Sequence, residues 1–363
     1  MARIELVDLA HAYKPNPTAP SDYALRPMSM EWHDGGAYAL LGPSGCGKTT
    51  LLNIISGLVK PSHGKVLFDG KDVTQLPTEA RNIAQVFQFP VIYDTMTVHD
   101  NLAFPLRNRG WKEIEVKKRV QQVAQMLELT GDLKLRASGL SVDAKQKISL
   151  GRGLVRPDVA AVLFDEPLTV IDPHLKWLLR RKLKEIHHEL KLSLIYVTHD
   201  QVEALTFADQ VVVMTQGEVV QTGSAQALFE EPEHTFVGYF IGNPGMNLLD
   251  CTLDDGGVRV AGQLLAVSAA ARAALSGAQG KITVGVRPEF VECIGAGEGG
   301  EDTLAATVTA VRNMGTHYLA EFQLGGATVA AKVRAIDAVA GDAVRLRFPP
   351  QRTLFYVNDK RVA

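Results

Sequence analysis

No apolar run in this 363-residue chain approaches the ~18–20 residues that a membrane span requires. Charge of one sign is missing too. The 38 Lys and Arg stand against 40 Asp and Glu, a net charge of −2, so the basic excess that marks a nucleic-acid surface is absent. Cysteine is scarce. Cys46, Cys251 and Cys293 are scattered and odd in number, which argues against a disulfide framework and fits a reducing compartment. The opening Met-Ala-Arg-Ile-Glu-Leu lacks the apolar core of a secretion signal. Together these absences lead to the expectation of a soluble, cytoplasmic protein without a nucleic-acid partner, free to sit against a membrane protein. Core material is plentiful: 46% hydrophobic and 21% charged residues make a globular balance, and the length suits about two domains.

One stretch organises the rest. Gly42-Pro43-Ser44-Gly45-Cys46-Gly47-Lys48-Thr49 fits G-x-x-x-x-G-K-[ST] in full. Tyr38-Ala39-Leu40-Leu41 ahead of it suits a buried strand, and Leu51, Leu52, Ile54, Ile55 and Leu58 behind it recur at helical spacing. Strand, glycine-rich loop and helix form a phosphate cradle, because backbone N–H groups and a helix N-terminus then face the anion. Lys48 is expected to reach the terminal phosphates of ATP or GTP, and the Thr49 hydroxyl to ligate Mg²⁺. Thr50 is counted with the nucleotide site.

Around the cradle the chain alternates strands and helices. Ile4, Leu6 and Leu9 alternate with polar neighbours, as do Met28, Met30 and Trp32. Val66-Leu67-Phe68 with Asp69-Gly70 reads as a hairpin, and Ile83–Phe87 as a strand ending at Gln88. Thr97 is placed to cap a helix. Residues 112–129 read as a helix with Ile114, Val120, Val123 and Leu127 on one face. A helix opens near Ser141 and runs to Val155. The continuous apolar run Val159–Phe164 is that of a parallel strand covered on both faces, and it ends at Asp165-Glu166. A helix over 173–191, a strand Leu194–Val197 ending at Thr198-His199-Asp200, and a strand Val211–Met214 follow. The result is an α/β domain with a largely parallel sheet, whose ligands belong at the carboxyl ends of its strands. Composition changes near Gly242-Asn243-Pro244-Gly245. Beyond it come short alternating runs with Gly-rich turns and a single helical stretch, Ala269–Leu275. The expected division is therefore 1–240 for the nucleotide domain and 241–363 for a small β-rich domain without a catalytic cluster.

The strand ends carry the chemistry. Asp165 is expected in the Mg²⁺ shell and Glu166 as the base that polarises the attacking water. His199 could hydrogen-bond the γ-phosphate, and Gln88 could complete the metal shell. Each has an ordinary alternative: Asp-Glu pairs also arise as plain strand caps, and a lone His is often structural. Convergence of several strand ends on one phosphate favours the functional reading. Tyr13 is either a ring that stacks on adenine or a plain strand-end aromatic.

On these residues the chain resembles the ATP-binding-cassette ATPases, in particular the import subunits serving carbohydrate-type permeases. Val86-Phe87-Gln88 resembles that family's Q-loop, Leu163-Phe164-Asp165-Glu166-Pro167 with Ile171-Asp172 its Walker B and D-loop, and Thr198-His199-Asp200 its switch histidine. Tyr13 falls where the family keeps an adenine-stacking aromatic. Ile241-Gly242-Asn243-Pro244 and Gly285-Val286-Arg287-Pro288-Glu289 resemble its transport-associated OB-type domain. The resemblance implies a P-loop NTPase fold followed by an OB-like regulatory domain, with ATP and Mg²⁺ as cofactors. It also implies hydrolysis coupled to import of a sugar, polyol or related solute. The chain would work peripherally at the cytoplasmic face of the inner membrane, with permease subunits docking near residues 89–101 and an extracytoplasmic solute-binding protein acting indirectly. Tyr93-Asp94-Thr95-Met96 and the signature helix resemble glycerol-type importers.

One motif departs from the family. The usual Leu-Ser-Gly-Gly-Gln signature stands here as Leu140-Ser141-Val142-Asp143-Ala144. In this family two subunits sandwich two ATPs, each between one cradle and the opposite signature. Ser141 could still donate to a γ-phosphate, but Val142 adds bulk and Asp143 adds negative charge. Pairing with a second, related ATPase is therefore expected, a homodimer being the other arrangement. Two alternatives stay open: a soluble non-transport ATPase of the superfamily, and a weakly hydrolysing regulatory subunit.

Overall fold

The computed structural model describes residues 2–169, 171–297, 299–300 and 302–363. By contacts the chain falls into two compact units, one ending at Ala225 and one beginning at Gln226. This division and the expected one after residue 240 differ by two short helices.

The first unit opens with β1 (Ile4–His11), β2 (Leu25–Trp32) and β3 (Ala37–Leu41), followed by α1 (Lys48–Ser56). Next come β4 (His63–Phe68), β5 (Lys71–Asp72), β6 (Ala84–Val86), α2 (Val98–Arg107), α3 (Glu113–Met126) and α4 (Val142–Leu154). β7 (Val162–Asp165), α5 (Pro173–Leu190), β8 (Leu194–Thr198), α6 (Gln201–Phe207), β9 (Gln210–Thr215) and β10 (Glu218–Gly223) complete it. Among the described residues two sheets form. One is antiparallel, in the order β2-β1-β4-β5; the other runs β10-β9-β3-β8-β7-β6, parallel from β9 to β6, with β10 antiparallel at its edge. Every residue of β3 and β8 is buried, as a strand covered on both faces requires. The core joins both sheets through Leu6, Leu25, Leu40, Leu52, Leu163 and Val197.

Two expectations about helix faces need correction. Ile114 is 78% exposed, and the buried stripe of α3 is Val116, Val120 and Val123, spaced i, i+4, i+7. Two residues from Val116, Ile114 points to the far side. Leu58 lies outside α1 and is 55% exposed. Gly57 ends that helix in the left-handed conformation (φ 84°), and Arg81 donates to the carbonyls of Ile54 and Ile55 in its last turn.

The second unit begins with α7 (Ala225–Glu230) and α8 (Thr235–Phe240), then β11 (Asn247–Asp254), β12 (Gly257–Val260), β13 (Gln263–Ala266) and α9 (Ala269–Leu275). β14 (Ile282–Val286), β15 (Glu292–Gly295), β16 (Thr303–Asn313), β17 (Tyr318–Leu324), β18 (Ala327–Val333), β19 (Ala343–Arg347), β20 (Thr353–Val357) and β21 (Lys360–Arg361) follow. Among its described residues two antiparallel sheets form, β13-β12-β11-β14-β20-β21 and β15-β19-β16-β17-β18. They share one core, in which Val258, Val284 and Phe355 meet Leu304, Phe322 and Leu346. The arrangement is the small OB-like β domain that the sequence leads one to expect. Arg287 is its polar hub. The side chain is buried and donates to the carbonyls of Leu228, Phe229, Gly238 and Ile241, which pins α7 and α8 to the strand end. Among the described residues no helix is long and apolar enough to cross a membrane.

Candidate functional site: a phosphate cradle and two strand ends

Parallel register builds the site. Leu41 pairs with Thr198 across β3 and β8, and Val197 pairs with Asp165 across β8 and β7. The three strands therefore end level, and the residues that follow them, Gly42, His199 and Glu166, emerge along one edge.

The loop from Gly42 to Gly47 turns tightly there. A Cβ on Gly42 would collide with the Met214 carbonyl, so the close approach to β9 requires glycine. Gly47, the N-cap of α1, sits at φ 103°, where an L side chain is strained. Lys48 is buried, and its Nζ donates to the carbonyls of Gly42 (2.8 Å) and Pro43 (3.0 Å). Cys46 is buried beneath the loop, and burial pushes its thiol up. A pocket of about 320 Å³ opens above, lined by Ser44, Gly45, Gly47, Lys48, Thr49 and Thr50 on one side and by Tyr13, Ala24 and Glu166 around it.

Tyr13 stands at the rim, 66% exposed, its hydroxyl 3.2 Å from Thr50 Oγ1 and its ring edge-on to His11 at 4.6 Å. The Thr49 hydroxyl donates to Asp165 Oδ1 at 3.0 Å. Burial pushes the Asp165 carboxyl up; the Thr49 donor and Lys48 oppose the shift, and the Glu166 charge adds to it. Glu166 adopts φ 46°, the left-handed region that costs a non-glycine residue on the order of 1 kcal/mol or more. Its N–H donates to the Val197 carbonyl at 3.0 Å, which holds the turn. Its Oε2 lies 3.1 Å from His199 Nδ1 and accepts from Thr169 Oγ1 at 3.3 Å.

Hard oxygen donors at the head of a phosphate-facing helix suit Mg²⁺, which takes one or two protein ligands and completes its shell from water and phosphate. The Thr49–Asp165 pair is such a set. Among the described residues no cluster of three or more His, Cys, Asp or Glu offers a metal cage. Gln88 lies two residues beyond β6, half-buried, and among the described residues the site's hydrogen bonds do not include it. Ser141 does not line the pocket. It is exposed and caps α4, accepting from the Ala144 N–H at 3.3 Å, with Val142 56% exposed beside it. Thr169, which no motif in the sequence singled out, is the additional residue that touches Glu166.

Residues 25–169 match the ABC transporter family, residues 242–291 a MalK OB fold domain, and residues 284–355 a TOBE domain. Among similar curated proteins is the sn-glycerol-3-phosphate import ATP-binding protein UgpC of Salmonella typhi, 37% identical over 336 residues, covering 91% of this chain and 92% of the relative. UgpC of Chromobacterium violaceum is 38% identical, covering 92% and 88%. The trehalose/maltose import ATP-binding protein MalK of Thermococcus litoralis is 38% identical, covering 87% and 88%. Among solved structures, cbiO1 from Clostridium perfringens, part of the ABC transporter complex cbiONQ, superposes with a TM-score of 0.57 at 27% identity, covering 63% of this chain and 90% of that one.

Proposed function

The chain belongs to the ATP-binding subunits of ABC transporters, and on that premise we propose that it powers uptake of a small polyhydroxylated solute: a sugar, a polyol or a polyol phosphate. It is an ATP-hydrolysing importer subunit that works at the cytoplasmic face of the membrane with a permease. Relatives named for sn-glycerol-3-phosphate import and for trehalose/maltose import support the solute class. The observation that carries the hydrolytic reading is the 3.1 Å contact of His199 with Glu166 beside the Thr49–Asp165 pair.

In this reading Lys48 exchanges its loop carbonyls for the terminal phosphates, and the loop N–H groups cradle them. Thr49 and Asp165 hold Mg²⁺, which neutralises phosphate charge when bound; Gln88 would join its shell. Glu166 takes up the proton of the attacking water, and His199 orients the γ-phosphate side of that pair. Tyr13 stacks on the adenine. The boundary between the nucleotide domain and the regulatory OB-like domain falls in the stretch 225–241.

The altered signature supports a heterodimer. Val142 and Asp143 leave the segment that should cover a second subunit's ATP bulky and acidic, whereas the cradle residues are all present. A partner ATPase with a Leu-Ser-Gly-Gly-Gln signature would close over this chain's Lys48 and Glu166. In the assembled transporter, Lys48→Ala should then abolish most ATPase activity, and the equivalent change in the partner should cost much less. Equal losses would refute the asymmetry. For the solute, transporter reconstituted with its permease and binding protein is assayed for ATPase stimulation by sugars, polyols and polyol phosphates. Stimulation by an amino acid or a metal ion, with none by these, would overturn the class.

A further inference from the structure

Behind His199 lies a buried carboxylate, that of Glu203. Glu203 stands in the first turn of α6, with its side chain 4% exposed. Its Oε2 accepts from the Thr198 hydroxyl at 2.8 Å and from the Tyr196 hydroxyl at 3.1 Å. Its Oε1 faces Lys176 Nζ at 4.0 Å, in the first turn of α5, whose N-cap is Asp172.

The bonds of Thr198 show what this carboxylate does. One hydroxyl cannot donate in two directions. By taking the Thr198 proton, Glu203 turns the hydroxyl's lone pairs toward the Asp200 N–H, which donates to it at 3.0 Å. Asp200 in turn caps α6, accepting from the N–H groups of Val202 and Glu203. His199 sits between Thr198 and Asp200, so the peptide that follows it is held by the Thr198 hydroxyl, and that hydroxyl is held by Glu203. Tyr196 is fully buried, and burial together with the Glu203 charge keeps its phenol protonated, a permanent donor to the same oxygen. A carboxylate buried only to fill space is costly compared with an apolar side chain. Here its hydrogen bonds both go to the strand end that carries His199.

We propose that Glu203 is a positioning residue for ATP hydrolysis: it locks the Thr198–Asp200 turn so that His199 stays against Glu166. The inference rests on the reading of His199 and Glu166 as the hydrolytic pair. Lys176 extends the device to the helix that follows Asp172, so the same carboxylate ties the His199 turn to the segment leading away from Glu166.

The test uses the full-length chain in its assembled transporter, reading kcat, KM for ATP and nucleotide dissociation constant for Glu203→Ala, Glu203→Gln, Thr198→Val, His199→Ala and the Glu203→Ala/His199→Ala double variant. A small displacement of a group at the reacting centre costs roughly 10–100-fold in rate, so Glu203→Ala and Thr198→Val should each lower kcat by about that much and leave ATP affinity within about threefold. Glu203→Gln keeps an oxygen for both hydroxyls and should recover kcat to within about threefold of wild type. In the His199→Ala background, Glu203→Ala should add less than about threefold, because both act through one group. If Glu203→Ala does not fold, Thr198→Val decides, since it removes the same relay with little change in volume. A slow His199→Ala beside a fast Thr198→Val or Glu203→Ala overturns the inference alone. A His199→Ala chain that turns over at the wild-type rate overturns the pair and the inference with it. Loss of ATP affinity in step with kcat, or an additive double variant, overturns the positioning role.

Discussion

His199 and Glu166 meet at 3.1 Å, Nδ1 to Oε2, although 33 positions separate them in sequence and they follow different strands. Adjacent parallel pairing of β8 and β7, with Val197 opposite Asp165, brings the two strand ends side by side. On the other side of β8, pairing with β3 brings up the head of α1, where the Thr49 hydroxyl donates to Asp165.

Tyr13 is exposed at the pocket rim and held by its hydroxyl to Thr50. Removing the ring should weaken nucleotide binding and leave chemistry alone. Base–aromatic stacking contributes about 1–3 kcal/mol, so Tyr13→Ala should raise KM for ATP by roughly 5–150-fold with kcat little changed. Tyr13→Trp should bind at least as well as wild type. Steady-state kinetics with ATP decide the matter, and an unchanged KM for Tyr13→Ala would remove the stacking role.

Asp165→Asn removes the charge from the Thr49–Asp165 pair while keeping its shape. The Mg²⁺ concentration for half-maximal ATPase activity should rise by at least about tenfold, and binding of metal-free ATP should change little. A magnesium titration of ATPase activity checks this. A wild-type midpoint would take Asp165 out of the metal shell.

The three thiols should react in order of access. Cys46 and Cys251 are buried, and burial pushes Cys251 to about 11; Cys293 is half-buried, and its thiol is also pushed up. Only the thiolate is nucleophilic. Mass spectrometry after brief alkylation should find Cys293 modified first, with Cys46 and Cys251 following on unfolding.

Arg287→Ala takes a donor from four carbonyls, of which Gly238 keeps the Met246 N–H, and leaves a cavity where a guanidinium lay over the Phe229 ring at 4.0 Å. Unsatisfied buried carbonyls cost about 1–3 kcal/mol each before relaxation, so the second unit should lose at least about 3 kcal/mol of stability. Thermal unfolding should show it. The residues that line the cradle pocket all belong to the first unit, so nucleotide binding should survive.

Much of the site was legible in sequence because its parts are local. The loop announces itself by glycines and Lys48, and the strand ends by apolar runs stopping at Asp165-Glu166 and at Thr198-His199. The second unit was legible only in part. β11, written Asn-Leu-Leu-Asp-Cys-Thr-Leu-Asp, and β15, Glu-Cys-Ile-Gly, carry too little alternation to stand out, and pairing with distant strands makes them. Ile114 and Leu58 misled because a hydrophobic residue near a helix end need not belong to its buried stripe. Glu203 was hidden for another reason. Asp200-x-x-Glu203 has capping-box spacing, which would send the Glu side chain back to the Asp200 N–H. Thr198 takes that N–H instead and frees the carboxylate to turn inward.

The most direct test of the account is Glu166→Gln in the assembled transporter, because it removes the base and keeps the side chain's size. ATP binding should persist at wild-type affinity while turnover falls by roughly 10²–10⁴-fold, the usual contribution of a general base. Rapid hydrolysis by the Gln variant would contradict the assignment of Glu166, and with it the hydrolytic pair on which the mechanism stands.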